Sequence, residues 1–267
     1  MNSIILAAGR GSRIPEISKK KPKCLIDING SSILSRQISF LKKSNIKNIF
    51  IIRGYKKKYI KFKSIQYIEN KNYKKNEQLS SLYCARKHLK GNSIILFSDI
   101  IYDYKILKKI LNSKNGDIIL GVDRNWKKRY KFRYDHPFAQ ADKVSLTQKN
   151  EITKIGKKLN LNKTNAEFLG ILKLSNNGCE IFKKNFKFFT KKKMSKMQIH
   201  DFLNFLIKKK VSIKSCSVRG KYMEIDTYND YKLAGELGVA LAEEIIQIQG
   251  AQFDKNVIDK LASKIFQ

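Results

Sequence analysis

The chain alternates two rhythms of apolar residues. Short unbroken runs at residues 3–6, 49–52, 93–97, 117–122, 167–174 and 211–218 have the pattern of buried strands. Between them, apolar positions recur every three or four residues at 33–43, 79–89, 104–111, 179–189, 200–210 and 228–233, which is the spacing of one helix face. In 33–43 the stripe is Ile33, Leu34, Ile38 and Leu41, with Ser31 or Ser32 placed to cap it; in 79–89 it is Leu82, Ala85 and Leu89. A short strand is expected at 65–69 and a polar loop at 70–78. Strand, helix, strand in this order implies parallel pairs joined by right-handed crossovers. The expected fold class is therefore α/β, a mostly parallel, mixed sheet with helices on both faces. Residues 123–154 lose clear periodicity and read as an insertion placed to lid a site. From Gly235 onward lysine thins out, and Leu237, Leu241, Ile245 and Ile248 form one helical stripe before a second short helix at 257–266. Residues 1–234 are thus expected to form the main domain, and 235–267 a helical extension that docks or forms a homodimer.

Composition narrows this picture in four ways. At 267 residues and 42% hydrophobic content the chain can bury a substantial core. No apolar run approaches the roughly 20 residues that span a bilayer, and Met1 leads directly into the first strand, so a cytoplasmic protein with no membrane span is expected. Cys24, Cys84, Cys179 and Cys216 lie far apart with no Cys-x-x-Cys, which indicates neither a zinc site nor a disulfide framework. The net charge of +34 invites a nucleic-acid reading, but the lysines are scattered in runs at 19–23, 56–58, 183–184, 191–193 and 208–210. That distribution is a general compositional bias with no dedicated nucleic-acid site, and its field attracts anionic substrates.

The candidate chemistry begins where the first strand ends, in Leu6-Ala7-Ala8-Gly9-Arg10-Gly11-Ser12-Arg13. Small residues and glycines expose backbone N–H groups, and glycine at 9 and 11 permits positive φ and close approach of a ligand. Arg10, Arg13 and, downstream, Lys23 of Lys21-Pro22-Lys23 add charge suited to a triphosphate. A dinucleotide fingerprint would need glycine where Ile14 stands, and a Walker A loop would need Gly-Lys-Ser/Thr after Gly11; neither is present. Asp99 follows the strand at 93–97, where it either meets a ligand at the carboxyl ends of the strands or caps the helix at 104–111. Asp226 stands in the short apolar strand read at 223–227, where Thr227 serves equally well as a cap for the helix that follows. Gly170 inside a strand implies close approach by ligand or backbone, Asp201 stands beside a helix start, Lys157 and Lys158 are a solvated or a binding pair, and Trp126 reads equally as packing.

Leu-Ala-Ala-Gly-x-Gly-Ser-Arg followed by Lys-Pro-Lys-x-Leu resembles the signature of the nucleotidyltransferases that activate sugar phosphates, phosphocholine and phosphonates, and the resemblance covers residues 1–234. Lys-Pro-Lys-Cys-Leu, Arg53-Gly54-Tyr55, Ser81-Leu82, Ile155-Gly156-Lys157-Lys158 and Glu224-Ile225-Asp226-Thr227 are most similar to the cytidylyltransferases acting on phosphocholine or 2-aminoethylphosphonate, although Asn76-Glu77 stands where relatives often carry Thr-Asn. The resemblance implies a Rossmann-like fold and transfer of CMP from CTP to a small phosphate- or phosphonate-bearing acceptor, with Mg²⁺ held by Asp99 and Asp226. It implies that Lys23, Arg13 and Asp99 act in catalysis and that Leu6, Ala7, Ala8, Gly9, Gly11, Ser12, Arg13, Asn76, Gln78 and Ser81 bind the nucleotide. Lys157, Lys158, Glu167, Gly170 and Asp201 are the implied acceptor-binding residues. A sugar-1-phosphate uridylyl- or thymidylyltransferase is the nearest alternative; a basic RNA-binding or non-catalytic regulatory protein is the alternative of another class.

Overall fold

The computed structural model describes residues 1–114 and 116–235. The stripe from Leu237 to Ile248 and the helix expected at 257–266 lie outside the described residues.

Strand β1 (Asn2–Ala7) runs through the middle of a nine-stranded sheet. A short helix, α1 (Pro15–Ser18), and a two-residue hairpin, β2 (Asp27–Ile28) with β3 (Ser31–Ser32), lead to α2 (Ile33–Lys43). The periodicity gave this helix its observed bounds, and its cap is Ser32, whose side chain accepts from Ser35 N. Strands β4 (Asn48–Arg53) and β5 (Gln66–Glu69) follow, then α3 (Gln78–Cys84) and β6 (Ser93–Phe97). β4 and β6 flank β1 in parallel and β5 extends the sheet beyond β4, as the crossover argument requires. The helix expected at 79–89 breaks after Cys84 into a 3-10 turn at Arg86–His88, yet Leu82, Ala85 and Leu89 are all fully buried.

The second half of the chain turns the sheet antiparallel. After β7 (Ile100–Tyr102), α4 (Tyr104–Asn112) and β8 (Ile118–Asp123), the supposed insertion supplies β9 (Lys143–Leu146) and β10 (Ile152–Gly156), a hairpin at the sheet edge. This corrects the reading of 123–154 as an insertion without clear periodicity: strands of four or five residues with lysine, serine and threonine at the open positions carry too short an alternation to register. Residues 124–142 and the turn 147–150 remain loop-like, and in the first of these Trp126 packs edge-on against Tyr130 and Phe138. The long strand β11 (Ala166–Leu174) pairs antiparallel with β6, β8 and β9. Then come α5 (Asn176–Phe186), α6 (Lys191–Met194), α7 (Ile199–Lys208), β12 (Lys214–Ser217), β13 (Tyr222–Glu224) and helical residues 228–235. The strand expected at 211–218 is confined to β12, which joins β8 in parallel.

β13 does not enter the large sheet. It pairs with β7, with Ile100 opposite Glu224, and Ile225 N donates to the carbonyl of Asp99 at 2.9 Å. This two-stranded unit brings the end of β6 beside the entry of the last helix. Among the described residues no helix is long and apolar enough to cross a membrane.

Candidate active site

The turn after β1 carries the first wall of a cavity of about 280 Å³ at the carboxyl ends of β1 and β6. Leu6, Ala7, Ala8, Gly9, Gly11, Ser12, Arg13, Asn76, Gln78 and Ser81 all line it, together with Lys23 and Asp99. The two glycines differ in role. Gly11 has φ +65°, and a Cβ there would lie 2.6 Å from Lys23 Cβ, so it makes room for the lysine. Gly9 has no positive φ, contrary to expectation, and faces open space within 4 Å, which leaves its backbone accessible. On the opposite wall, Ser81 Oγ accepts from Asn70 Nδ2, and Asn76 Nδ2 donates to Asn70 Oδ1. Glu77 N and Leu79 N donate to the carbonyls of Ser195 and Met197, which anchors this wall to the chain before α7.

Pro22 starts a 3-10 turn, Lys23–Leu25, that carries Lys23 inward. Its Nζ donates to Asp99 Oδ2 at 2.9 Å and to Asp226 Oδ1 at 2.5 Å. Arg13 adds a second cation 2.8 Å from Asp226 Oδ1. Burial alone would lower the Lys23 pKa, but Asp99 and Asp226 outweigh it and raise it above the ordinary lysine value. Burial likewise opposes ionisation of Asp226, yet Lys23 and Arg13 hold its pKa down at about 2. Glu224, half-buried and facing the charges of Asp226 and Asp99, has its pKa raised well above the usual carboxylate range, desolvation being the larger cause. The capping alternative for Asp99 fails, because the cap position of α4 is Asp103. Asp226 is no cap either: Thr227 Oγ1 accepts from Asp230 N and Asp230 Oδ2 accepts from Thr227 N, a reciprocal capping box.

A divalent cation fits between the two aspartates. They present hard oxygen donors converging on one point, which Lys23 Nζ now bridges, and Asp226 Oδ2 is buried with no hydrogen-bond partner among the described residues. His136, Glu224 and Asp226 also offer ligand atoms within 4.8 Å of one another, but the Arg133 guanidinium stands 2.8 Å from His136 Nδ1 and opposes a cation there.

None of the acceptor-binding candidates lines this cavity, and two carry other bonds. Glu167 accepts from Arg129 Nη2 and from Tyr130 Oη, each at 2.5 Å, so its carboxylate secures residues 124–142 to β11. Asp201 Oδ2 accepts from Gln198 N and closes the capping box of α7. Gly170, at φ +68°, admits the ring of Phe97: a Cβ would lie 2.8 Å from Phe97 Cδ2, and Phe97 lines the cavity. The close neighbour that its strand position predicted is therefore a side chain. Lys157 is half-buried and Lys158 exposed. Sequence reasoning gave no site role to Cys24, Tyr73, Glu77, Phe97 or Ser98 in the cavity wall, nor to Arg133, His136 or Asp230 around Asp226. The Thr-x-x-Asp spacing of Thr227 and Asp230 was the one available signal.

Residues 3–144 match the model of the MobA-like NTP transferase domain. The chain is similar to the CTP:phosphoglutamine cytidylyltransferase of Campylobacter jejuni, 28% identical over 252 residues that cover 87% of this chain and 98% of the relative. It is also similar to the choline-phosphate cytidylyltransferase of Streptococcus pneumoniae, 30% identical over 158 residues, covering 46% of this chain and 69% of the relative. Among solved structures, the inositol-1-phosphate CTP transferase from T. maritima superposes with a TM-score of 0.72 at 19% identity, over 88% of this chain and 95% of that one, a likeness of fold.

Proposed function

The chain belongs to the MobA-like NTP transferase family and is a nucleotidyltransferase, and from that premise we propose that it transfers CMP from CTP to a small acceptor bearing a phosphate or phosphonate, releasing pyrophosphate. The observation that carries the reading is Lys23 bridging Asp99 and Asp226 at the rim of a glycine-rich cavity. The cytidylyltransferases among its relatives support CTP as the donor and a phosphorylated acceptor.

An acceptor oxygen attacks the α-phosphorus, the bond to the β-phosphate oxygen breaks, and the pyrophosphate takes the electron pair. The protein's work in such a displacement is positioning and charge neutralisation. Backbone N–H groups from Gly9 to Ser12, with Arg13, bind the β- and γ-phosphates, and the wall of Asn76, Gln78 and Ser81 receives base and ribose. Lys23 turns from the aspartates to the α-phosphate and neutralises charge that builds on its oxygens. Asp99 and Asp226 would hold Mg²⁺, which supplies Lewis-acid polarisation of the phosphate oxygens when bound.

Pyrophosphate release is measured for each of the four ribonucleoside triphosphates and dTTP against phosphocholine, 2-aminoethylphosphonate and a set of sugar 1-phosphates. Release with CTP and one of the first two acceptors is expected. Release confined to UTP or dTTP with a sugar 1-phosphate would establish the alternative instead.

A further inference from the structure

Asp226 sits in a backbone segment held by a buried ion pair from elsewhere in the chain. Asp230 Oδ2 accepts from both Asp226 N and Thr227 N at 2.9 Å, while Asp230 Oδ1 takes Arg133 Nε at 2.7 Å. Arg133 comes from the loop-like segment 124–142, and its Nη2 also donates to the carbonyl of Glu224 at 2.9 Å. One Arg–Asp pair thus grips the chain on both sides of Ile225, and Ile225 N is itself bonded to Asp99 O.

Helix capping alone does not account for this. A capping box needs only Thr227 and Asp230, and it works at the surface. Here Asp230 is 0% exposed and Arg133 5% exposed, and taking such charges out of water costs more than a cap returns. The bond from Asp226 N is no part of a capping box, and neither is the arginine. What the pair adds is a fixed direction for the residue between its attachment points.

We propose that Arg133 and Asp230 are positioning residues that aim the Asp226 carboxylate at the cation shared with Asp99, an inference that rests on the transferase reading above. Segment 124–142 thereby becomes part of the metal site without contributing a ligand. Two further arginines fasten the same segment elsewhere along its length, Arg129 to Asp123 and Glu167 and Arg124 to Ser217 and Asn150.

Three readouts are taken on the full chain: amide hydrogen exchange at Asp226 and Thr227, Mn²⁺ affinity by electron paramagnetic resonance without acceptor, and the KM for CTP. Arg133→Met is expected to speed exchange at both amides and to weaken Mn²⁺ binding about tenfold or more, the usual cost of losing a partner behind a metal ligand. With the divalent cation held at saturation the KM for CTP should stay within about twofold, since the cavity wall is untouched, and Arg133→Lys should recover part of the Mn²⁺ affinity. Lys128→Met, exposed in the same segment, is the control. Faster exchange with unchanged Mn²⁺ affinity would overturn the proposal and leave the pair a purely structural one, as would a wild-type protein that binds no Mn²⁺. Should Arg133→Met fail to fold, Asp230→Asn, which keeps an acceptor oxygen and the shape, decides by the same readouts. Exchange and Mn²⁺ binding need no turnover, so a protein that released pyrophosphate from no triphosphate would sink the transferase reading by a separate result.

Discussion

Lys23 and Gly11 show how one backbone constraint serves another side chain. The lysine is 8% exposed and satisfied by two carboxylates, whereas Lys19, four residues earlier, is on the surface. Lys23→Ala should therefore lower turnover by orders of magnitude and Lys19→Ala hardly at all, as measured by pyrophosphate release; equal small effects would mean that the basic run is only solvated surface. Gly11→Ala forces a Cβ into the left-handed region and against Lys23, so a loss of about 1–2 kcal/mol in urea unfolding is expected. The contiguous residues of this loop were legible in the sequence because their spacing is their geometry. Arg133, His136 and Asp230 were not, because their meaning lies in contacts between positions far apart in the chain.

At the scale of elements, the strands and helices with long apolar runs were readable and the joints between them were not. The α2 bounds follow from Ser32 and a four-residue stripe, whereas the pairing of β7 with β13, which joins Asp99 to Asp226, is a three-residue ladder with no local signature. Another such joint ties α7 to the loop before β9, where His200 Nδ1 lies 2.9 Å from Asp142 Oδ1. Burial lowers the His200 pKa and Lys157 adds to that, but the bond to and charge of Asp142, with Asp201, raise it above the ordinary histidine value. A raised pKa in the folded state contributes stability that is complete below the unfolded value of about 6.5 and is lost as pH rises through the folded pKa. Urea midpoints should accordingly fall as pH rises above about 6.5, and in His200→Gln this fall should flatten. An unchanged pH profile in the variant would show that the pair contributes nothing to folding.

Over the whole molecule, the parallel order of β1, β4 and β6 and the matched domain at residues 3–144 agree with the α/β class expected from alternating rhythms. The antiparallel half was less legible, because β11 has three strand partners and only one apolar run to announce them. A chain ending at Ala234, compared with the full chain by light scattering and activity, tests the expectation that residues 235–267 form a homodimer contact: loss of a dimer with turnover kept would support it, and an unchanged number of subunits would refute it. Asn29 Nδ2 donates to the carbonyl of Gly235, and the helix leading there carries Asp230. Met1, by contrast, opens onto the end of β1 away from the cavity, about 20 Å of strand from the glycine turn. For anchoring the enzyme to a bead or a sensor chip, a tether at Met1 thus presents the cavity outward, while one placed at Gly235 would pull on the helix whose Asp230 accepts from the Asp226 amide.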